Sequence, residues 1–134
     1  MSHYCNKCNL KLQENINWTT AAKKKWDYTC NTCRNIARQN WEHTLKGRYI
    51  IYRRNAKKRG LEFSLSLYEF TDIILKPCYY CGKKQLYNGV DRVDNSKGYI
   101  KSNCKPCCTI CNKMKGTLGE KEFTAHCKKV IENG

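Results

Sequence analysis

The sequence predicts a small α+β fold held together by two zinc ions, and three observations support this prediction. Eleven of the 134 residues are cysteines, most of them in C-x-x-C pairs, a spacing that lets two thiolates reach one zinc ion. Residues 88–112 combine alternating apolar residues, a turn signal and a helix start, in the order strand, turn, strand, helix. No apolar run approaches the roughly 20 residues of a membrane helix, so we expect no membrane partner.

The cysteines also bear on the compartment. The N-terminal stretch MSHYCNKC lacks the apolar core of a signal peptide. In a reducing compartment, paired cysteines are more often zinc ligands than disulfides. We therefore expect a soluble cytoplasmic protein, in a bacterial, phage or viral context.

Residues 1–36 are predicted to form an N-terminal zinc-binding module. The pairs CNKC and CNTC, with 21 residues between them, supply four ligands: Cys5, Cys8, Cys30 and Cys33. The alternative is four cysteines without a metal in a reducing cell. Because so small a module has little other core, we expect Trp18, Trp26 and Tyr28 to pack against the zinc site.

A basic linking helix is predicted for residues 37–60. Apolar residues recur every three or four positions from Ala37 to Ala56, with Gly47 as a candidate interruption and Gly60 at the end. Residues 34–60 hold nine Lys or Arg against one acid, and the whole chain has a formal charge of +15. This excess favours a nucleic-acid partner over a merely solvated helix face. The residues expected to contact phosphates are Arg48, Arg53, Arg54, Lys57, Lys58 and Arg59.

The third predicted segment, residues 61–134, begins with core elements. Phe63 and Leu65 alternate with serines, which predicts a short strand. Ser66 and Glu69 form a capping-box pattern for a helix that Pro77 stops. At the end of the chain, GEKEFTAHCKKVIENG predicts an amphipathic helix with Phe123, Cys127 and Val130 inward.

A second zinc site is predicted in the same segment. Cys78 and Cys81 form its first C-x-x-C pair. The partner pair is either Cys108 with Cys111 or Cys104 with Cys107, and we favour Cys108 and Cys111 because they lie at a helix start, which is common zinc geometry.

Between the two halves of this zinc site lies the stretch NGVDRVDNSKGY. Val90 and Val93 suit one short strand and Tyr99 and Ile100 suit a second, with DNSKG turning between them. A helix follows near Asn112. The side chains of Asp91 and Asn112 could then meet as oxygen ligands for a hard cation such as Mg²⁺.

These motifs resemble the HNH, or ββα-metal, endonucleases, and especially their small zinc-containing branch among phage-type nucleases and compact restriction enzymes. The matching text is CYYCG…NGVDRVDNSKGYIKSNCKPCCTICNKMKG and EKEFTAHCKKVI, within residues 55–131. The resemblance implies a ββα-metal core in residues 61–134, with structural zinc at Cys78, Cys81, Cys108 and Cys111. It also implies that Asp91 and Asn112 bind the catalytic metal, while Asn103 keeps the loop between the strands in shape.

The sequence departs from the family at Arg92, where the general-base histidine usually stands directly after the aspartate. Arginine stays protonated, so it cannot take a proton from water, although it can bind a phosphate. We expect the water to be activated by the metal itself or by a tyrosine, with Tyr80 and Tyr99 as candidates. Asp91 and Arg92 could instead form a surface ion pair on a zinc ribbon.

The function expected from this resemblance is metal-dependent cleavage of double-stranded DNA, site-specific in the manner of restriction or homing enzymes, leaving 5′-phosphate and 3′-hydroxyl ends. Both zinc ions would be structural, because four thiolates leave no open coordination position. One HNH site per chain means that cutting both strands needs a homodimer or two successive nicks. The alternatives are a zinc-ribbon protein that binds DNA or RNA without cutting it, and a protein directed to single-stranded RNA.

Overall fold

A computed structural model describes all 134 residues, as a mixed fold of helices and one small two-stranded sheet. The chain divides into two compact units, Met1–Arg48 and Tyr49–Gly134. No helix has the length and apolar character needed to cross a membrane. The helices are α1 (Thr20–Lys24), α2 (Asn31–Glu42), α3 (Leu45–Lys58), α4 (Leu67–Ile74), α5 (Thr109–Lys115) and α6 (Glu120–Asn133), and the strands are β1 (Gly89–Arg92) and β2 (Cys104–Cys107).

The first unit has a small core next to its cysteines. Cys5, Leu12, Trp18, Ala22 and Cys30 are buried together. Two of the three aromatic residues expected near the zinc site do pack there, since Trp18 is buried and Tyr28 lies against the same cluster. The expectation is wrong for Trp26, whose side chain is 76% exposed.

Two helices replace the single basic helix expected before residue 60. The break falls at His43 and Thr44, where the Thr44 hydroxyl accepts a hydrogen bond from the Gly47 amide at 3.0 Å and so caps α3. Gly47 lies within α3 and does not interrupt it. A Cβ at Gly47 would lie 2.0 Å from the Trp41 carbonyl oxygen, so this tight turn between the helices requires glycine. Gly60 follows α3 with φ +66°, the left-handed conformation that ends helices.

The core of the second unit is aromatic. Phe70 of α4 is fully buried and meets the rings of Tyr49 and Tyr52 edge-on. The predicted capping box is confirmed: the Ser66 hydroxyl accepts from the Glu69 amide, and the Glu69 carboxylate accepts from the Ser66 amide at 3.0 Å. α4 then packs against both strands of the sheet.

The predicted strands are only partly correct. β1 includes Val90 as expected but ends at Arg92, before Val93. Its antiparallel partner is Cys104–Cys107, so the second strand does not lie at Tyr99 and Ile100. The strand expected at Phe63–Leu65 reduces to one bridge between Phe63 and Tyr99. A 3₁₀ turn at Lys101–Asn103 separates Tyr99 from β2, which moves the second strand toward the cysteines.

α6 forms where the periodicity predicts it. Phe123 is buried and Cys127 is half-buried, as expected. The expectation is wrong for Val130, which is 59% exposed. The inward face of α6 therefore covers only its first two turns.

Candidate functional site

Four cysteine sulfurs of the first unit form a cluster suited to one metal ion. They belong to Cys5, Cys8, Cys30 and Cys33, and all lie within 4.8 Å of one another. The Cys8 and Cys30 sulfurs are 3.7 Å apart, close to the ~3.8 Å edge of a tetrahedron with Zn–S bonds of about 2.3 Å. Cys30 is also the N-cap of α2, where its sulfur accepts from the Cys33 amide.

The second unit repeats this arrangement with Cys78, Cys81, Cys108 and Cys111, again within 4.8 Å of one another. The Cys81 and Cys108 sulfurs are 3.7 Å apart. Cys108 is the N-cap of α5, and its sulfur accepts from the Cys111 amide at 3.4 Å. Cys104 and Cys107 are the end residues of β2 and lie outside the cluster, so the choice of Cys108 and Cys111 is supported.

The chemistry of both clusters fits zinc. The backbone N–H of Cys30 points at the Cys5 sulfur and lowers the pKa of that thiol to about 6. At Cys78, burial opposes ionisation, but backbone N–H groups, led by that of Cys108, lower the pKa to about 6. Hydrogen bonds with the Cys8 and Cys30 sulfurs raise the pKa of Cys33 to about 12. Such a hydrogen bond keeps a proton on one of the sulfurs. A zinc ion bound tetrahedrally by all four sulfurs would replace that proton, since zinc binds the deprotonated thiolate.

Away from the sulfurs, β1 carries a buried carboxylate. Asp91 is 4% exposed. One of its oxygens accepts a 2.7 Å hydrogen bond from the Tyr80 hydroxyl, and the other lies 3.2 Å from the Lys115 ammonium nitrogen. Lys115, 1% exposed, also donates to the Arg92 carbonyl at 3.2 Å. The carboxylate is thus held from two sides and is compensated by a buried cation, so the surface ion pair between Asp91 and Arg92 does not form.

Asp91 faces a polar cleft of about 180 Å³, which we call the carboxylate cleft. Asn112, exposed on α5, lies on the same cleft. The cleft therefore brings together a carboxylate and an amide side chain, the oxygen donors that Mg²⁺ prefers. Its volume leaves room for the several waters that this ion retains. The lining residues are Tyr52, Arg59, Val90, Asp91, Arg92, Asn95, Tyr99, Asn112 and Gly116.

Two arginines line the carboxylate cleft around one aromatic ring. The guanidinium carbons of Arg59 and Arg92 lie 5.8 Å and 5.5 Å from the centre of the Tyr99 ring. Arg59 also donates to the Tyr99 hydroxyl at 2.8 Å. Arg92 is anchored by hydrogen bonds from one nitrogen to the carbonyls of Asn95 and Lys97. The site thus combines two fixed positive charges with a carboxylate.

Asn103 organises the loop between the strands. Its amide oxygen accepts from the Asp94 N–H at 2.9 Å, and its amide nitrogen donates to the carbonyls of Asp94 and Gly98, each at 3.0 Å. Asp94 in turn accepts from Ser96 rather than facing the carboxylate cleft. These bonds fix the path of residues 94–98, which include the two carbonyls that anchor Arg92.

The remaining predicted residues divide into two groups. The basic residues Arg53, Arg54, Lys57 and Lys58 are exposed on α3, and Arg48 is half-buried. Tyr80 contacts Asp91 but lines a different groove, beside α6. Burial and the neighbouring Asp91 carboxylate raise the pKa of the Tyr80 phenol well above its ordinary value.

Sequence reasoning missed Lys115 and the position of Arg59. Lys115 stands three residues after Asn112, in a run with Lys113 that looks like an ordinary basic helix end. Nothing in the sequence shows that Lys115 is buried while Lys113 is exposed. The sequence predicts Arg59 as a phosphate contact within the basic linking helix, whereas Arg59 lies just beyond α3 and reaches Tyr99.

Comparisons with known proteins give limited similarity. No protein-family model matches the sequence. An uncharacterized protein of Acanthamoeba polyphaga mimivirus is 40% identical over 85 residues, which are 62% of this chain and 16% of the viral protein, so the chain spans about a sixth of that relative. Among solved structures, the rare-cutting HNH restriction endonuclease PacI aligns with a TM-score of 0.47 and 20% identity, covering 98% of this chain and 94% of that chain.

Proposed function

We propose that this chain is a divalent-metal-dependent endonuclease that hydrolyses phosphodiester bonds in double-stranded DNA. The observation that carries this proposal is the carboxylate cleft, where Asp91, Asn112 and two arginines line one small polar space. The resemblance of residues 55–131 to the HNH endonucleases points to the same chemistry. The excess of basic residues supports a polyanionic substrate.

The arginines are suited to hold the phosphate. Arg59 and Arg92 both contact the Tyr99 ring, so their guanidinium groups are fixed before any ligand arrives. Preorganised donors stabilise the negative charge that builds on a phosphate during hydrolysis. In this proposal Arg92 binds the scissile phosphate and Arg59 adds a second positive charge to the same cleft.

Asp91 and Asn112 are the residues that would hold the catalytic cation. A bound Mg²⁺ would neutralise charge on the phosphate and lower the pKa of an attacking water. Lys115 contacts one Asp91 oxygen and Tyr80 contacts the other. A carboxylate has about four lone-pair sites, so each oxygen keeps a lone pair that can coordinate a metal ion. The two contacts fix the orientation of the carboxylate.

Arg92 cannot accept the proton of the attacking water, because it stays protonated. The two candidate tyrosines, Tyr80 and Tyr99, differ in their suitability for this role. Tyr80 keeps its phenol proton and donates it in a hydrogen bond to Asp91, so its role is to orient that carboxylate. Tyr99 lies on the carboxylate cleft itself, with Arg59 donating to its oxygen. Tyr99 therefore remains the candidate among the tyrosines for activating the water, beside activation by the metal itself.

The wider proposal follows the family resemblance. The products would carry 5′-phosphate and 3′-hydroxyl ends, in a restriction or homing role in the cytoplasm of a bacterial, phage-infected or virus-infected cell. The exposed cations of α3 would contact the DNA backbone, and affinity should fall steeply with salt. A homodimer would allow both strands to be cut in one encounter.

The test uses supercoiled plasmid at low salt, with and without Mg²⁺. The wild-type protein should nick or linearise it only with Mg²⁺, and Asp91→Ala and Asn112→Ala should each lose this activity. Asn112 is exposed, so its replacement leaves the core intact, and the neighbouring exposed Lys113→Ala is the matched control that should still cut. Cleavage by both variants at the wild-type rate would refute the assignment of the site.

One observation favours the second candidate function, a protein that binds DNA without cutting it. The Lys115 ammonium already neutralises the Asp91 carboxylate from within the fold. If the Asp91 carboxylate serves only to pair with Lys115, it binds no metal. The plasmid should then stay intact with Mg²⁺, while the protein still retards duplex DNA in a gel. Replacing the exposed Asn112 with alanine would then leave DNA binding unchanged.

A further inference from the structure

The first unit contains a second cleft, which we call the aromatic cleft. It has a volume of about 400 Å³ and lies among residues 3–28. Four aromatic side chains meet on its walls, those of His3, Trp18, Trp26 and Tyr28. The zinc ligands do not line it, so neither the cysteine cluster nor the proposed cleavage chemistry accounts for it.

Trp26 is the unusual member of this group. It follows α1 and has φ +57°. The Trp26 N–H donates to the Lys23 carbonyl, and the Asp27 N–H donates to the Ala22 carbonyl. These two bonds form the motif that ends many helices, in which glycine normally occupies the left-handed position that Trp26 has here. An L-residue pays a conformational penalty in this region, and a bulky one is rarely found there. The indole is also 76% exposed. Folding therefore gains little from Trp26, which suggests that the residue serves a ligand.

The other rings form a fixed wall beside it. Trp18 and Tyr28 are stacked with centroids 5.6 Å apart, and His3 lies 5.0 Å from Tyr28. The Trp18 indole N–H is satisfied by the Asp27 carbonyl at 2.6 Å. The Trp26 ring stands 6.5 Å from Tyr28 and is the exposed one. Its apolar faces are available to a flat partner.

The charges around the aromatic cleft fit a phosphate-bearing partner. Lys23 and Lys24 line it, and Lys25 follows directly in the sequence. The acid on the cleft, Glu14, is paired with Lys23, so it is compensated. Aromatic faces next to a basic rim are the combination by which proteins bind unpaired nucleotides.

We propose that the aromatic cleft binds an unstacked base of single-stranded nucleic acid, with Trp26 stacking on the base and Lys24 contacting the adjacent phosphate. This site is separate from the carboxylate cleft and does not require the chain to cut DNA. It would give the protein an affinity for unpaired nucleotides in addition to duplex.

The test measures how tightly the protein binds an oligothymidylate of eight nucleotides, without added Mg²⁺. Quenching of tryptophan fluorescence is the binding signal. Trp26→Gly is the decisive variant, because glycine suits the left-handed position and should keep or raise the melting temperature. We expect it to weaken binding about ten-fold, as the loss of one base stack should, and to remove most of the quenching. Trp41→Ala, an exposed tryptophan on α2, is the matched control and should bind as the wild type does.

Other outcomes would overturn the proposal. Wild-type affinity in Trp26→Gly, or a lower melting temperature in that variant, would make Trp26 a structural residue. Equal loss of affinity for the oligothymidylate and for a duplex of the same length would exclude stacking on an unpaired base. The oligothymidylate assay contains no Mg²⁺ and tests Trp26, whereas the plasmid assay tests Asp91 and Asn112, so failure of the cleavage proposal can be distinguished from failure of this one.

Discussion

Replacing Lys115 with methionine should destabilise the second unit by about 3 kcal/mol, because removing one partner of a buried ion pair leaves the other charge uncompensated. The Lys115 nitrogen lies 3.2 Å from the Asp91 oxygen, and the two side chains are 0% and 5% exposed. The same nitrogen also donates to the Arg92 carbonyl, which would lose that partner. Methionine keeps an unbranched apolar chain, so the loss should come from the charge more than from a cavity.

Hydrogen exchange at the β1 and β2 amides measures this effect where it occurs. A loss of about 3 kcal/mol corresponds to roughly 160-fold faster exchange when opening is in rapid equilibrium. Lys113→Met, exposed on the same helix, is the matched control and should leave the rates unchanged.

A double variant separates the ion pair from general packing. Asp91→Asn together with Lys115→Met should be less destabilised than the sum of the two single changes, by about 2 kcal/mol. Wild-type exchange rates in Lys115→Met, or strict additivity in the double variant, would refute the ion pair as a stabilising contact.

Two further predictions concern the loop and the second zinc site. Asn103→Ala removes three hydrogen bonds from the loop before β2. At about 1 kcal/mol each, this should lower the free energy of unfolding, measured in urea, by about 2–3 kcal/mol. A decrease below about 0.5 kcal/mol would mean that the loop keeps its shape without these bonds. Cys108→Ser should reduce bound zinc from two ions to one by elemental analysis, whereas Cys104→Ser should keep both, and the reverse result would exchange the assigned pairs.

The sequence predicts best where the chemistry is local. C-x-x-C spacing is a constraint over four residues, and both sulfur clusters consist of the expected cysteines. The capping box of Ser66 and Glu69 is also a contact within one helical turn, and it forms as predicted. Such features depend little on the rest of the fold.

Predictions that depend on distant contacts are less successful. Apolar alternation suited a strand at Tyr99 and Ile100, but Asn103 and the 3₁₀ turn shift the paired strand to Cys104–Cys107. The burial of Lys115 results from α5 packing on β1, which no local pattern reveals. Arg59 was predicted to contact phosphate, but only the folded chain brings it to Tyr99 and the carboxylate cleft.

α5 connects the second sulfur cluster to the carboxylate cleft, where we propose that phosphate binds. Its seven residues are fewer than the roughly 12–15 that an isolated helix needs in water, so its geometry depends on what holds it. Cys108 and Cys111 place its first turn in the sulfur cluster, Asn112 follows on the carboxylate cleft, and Lys115 contacts Asp91 at its last turn. Removing zinc from this cluster should therefore displace Asn112 and Lys115 together. A structural zinc would in this way control cleavage without taking part in the reaction.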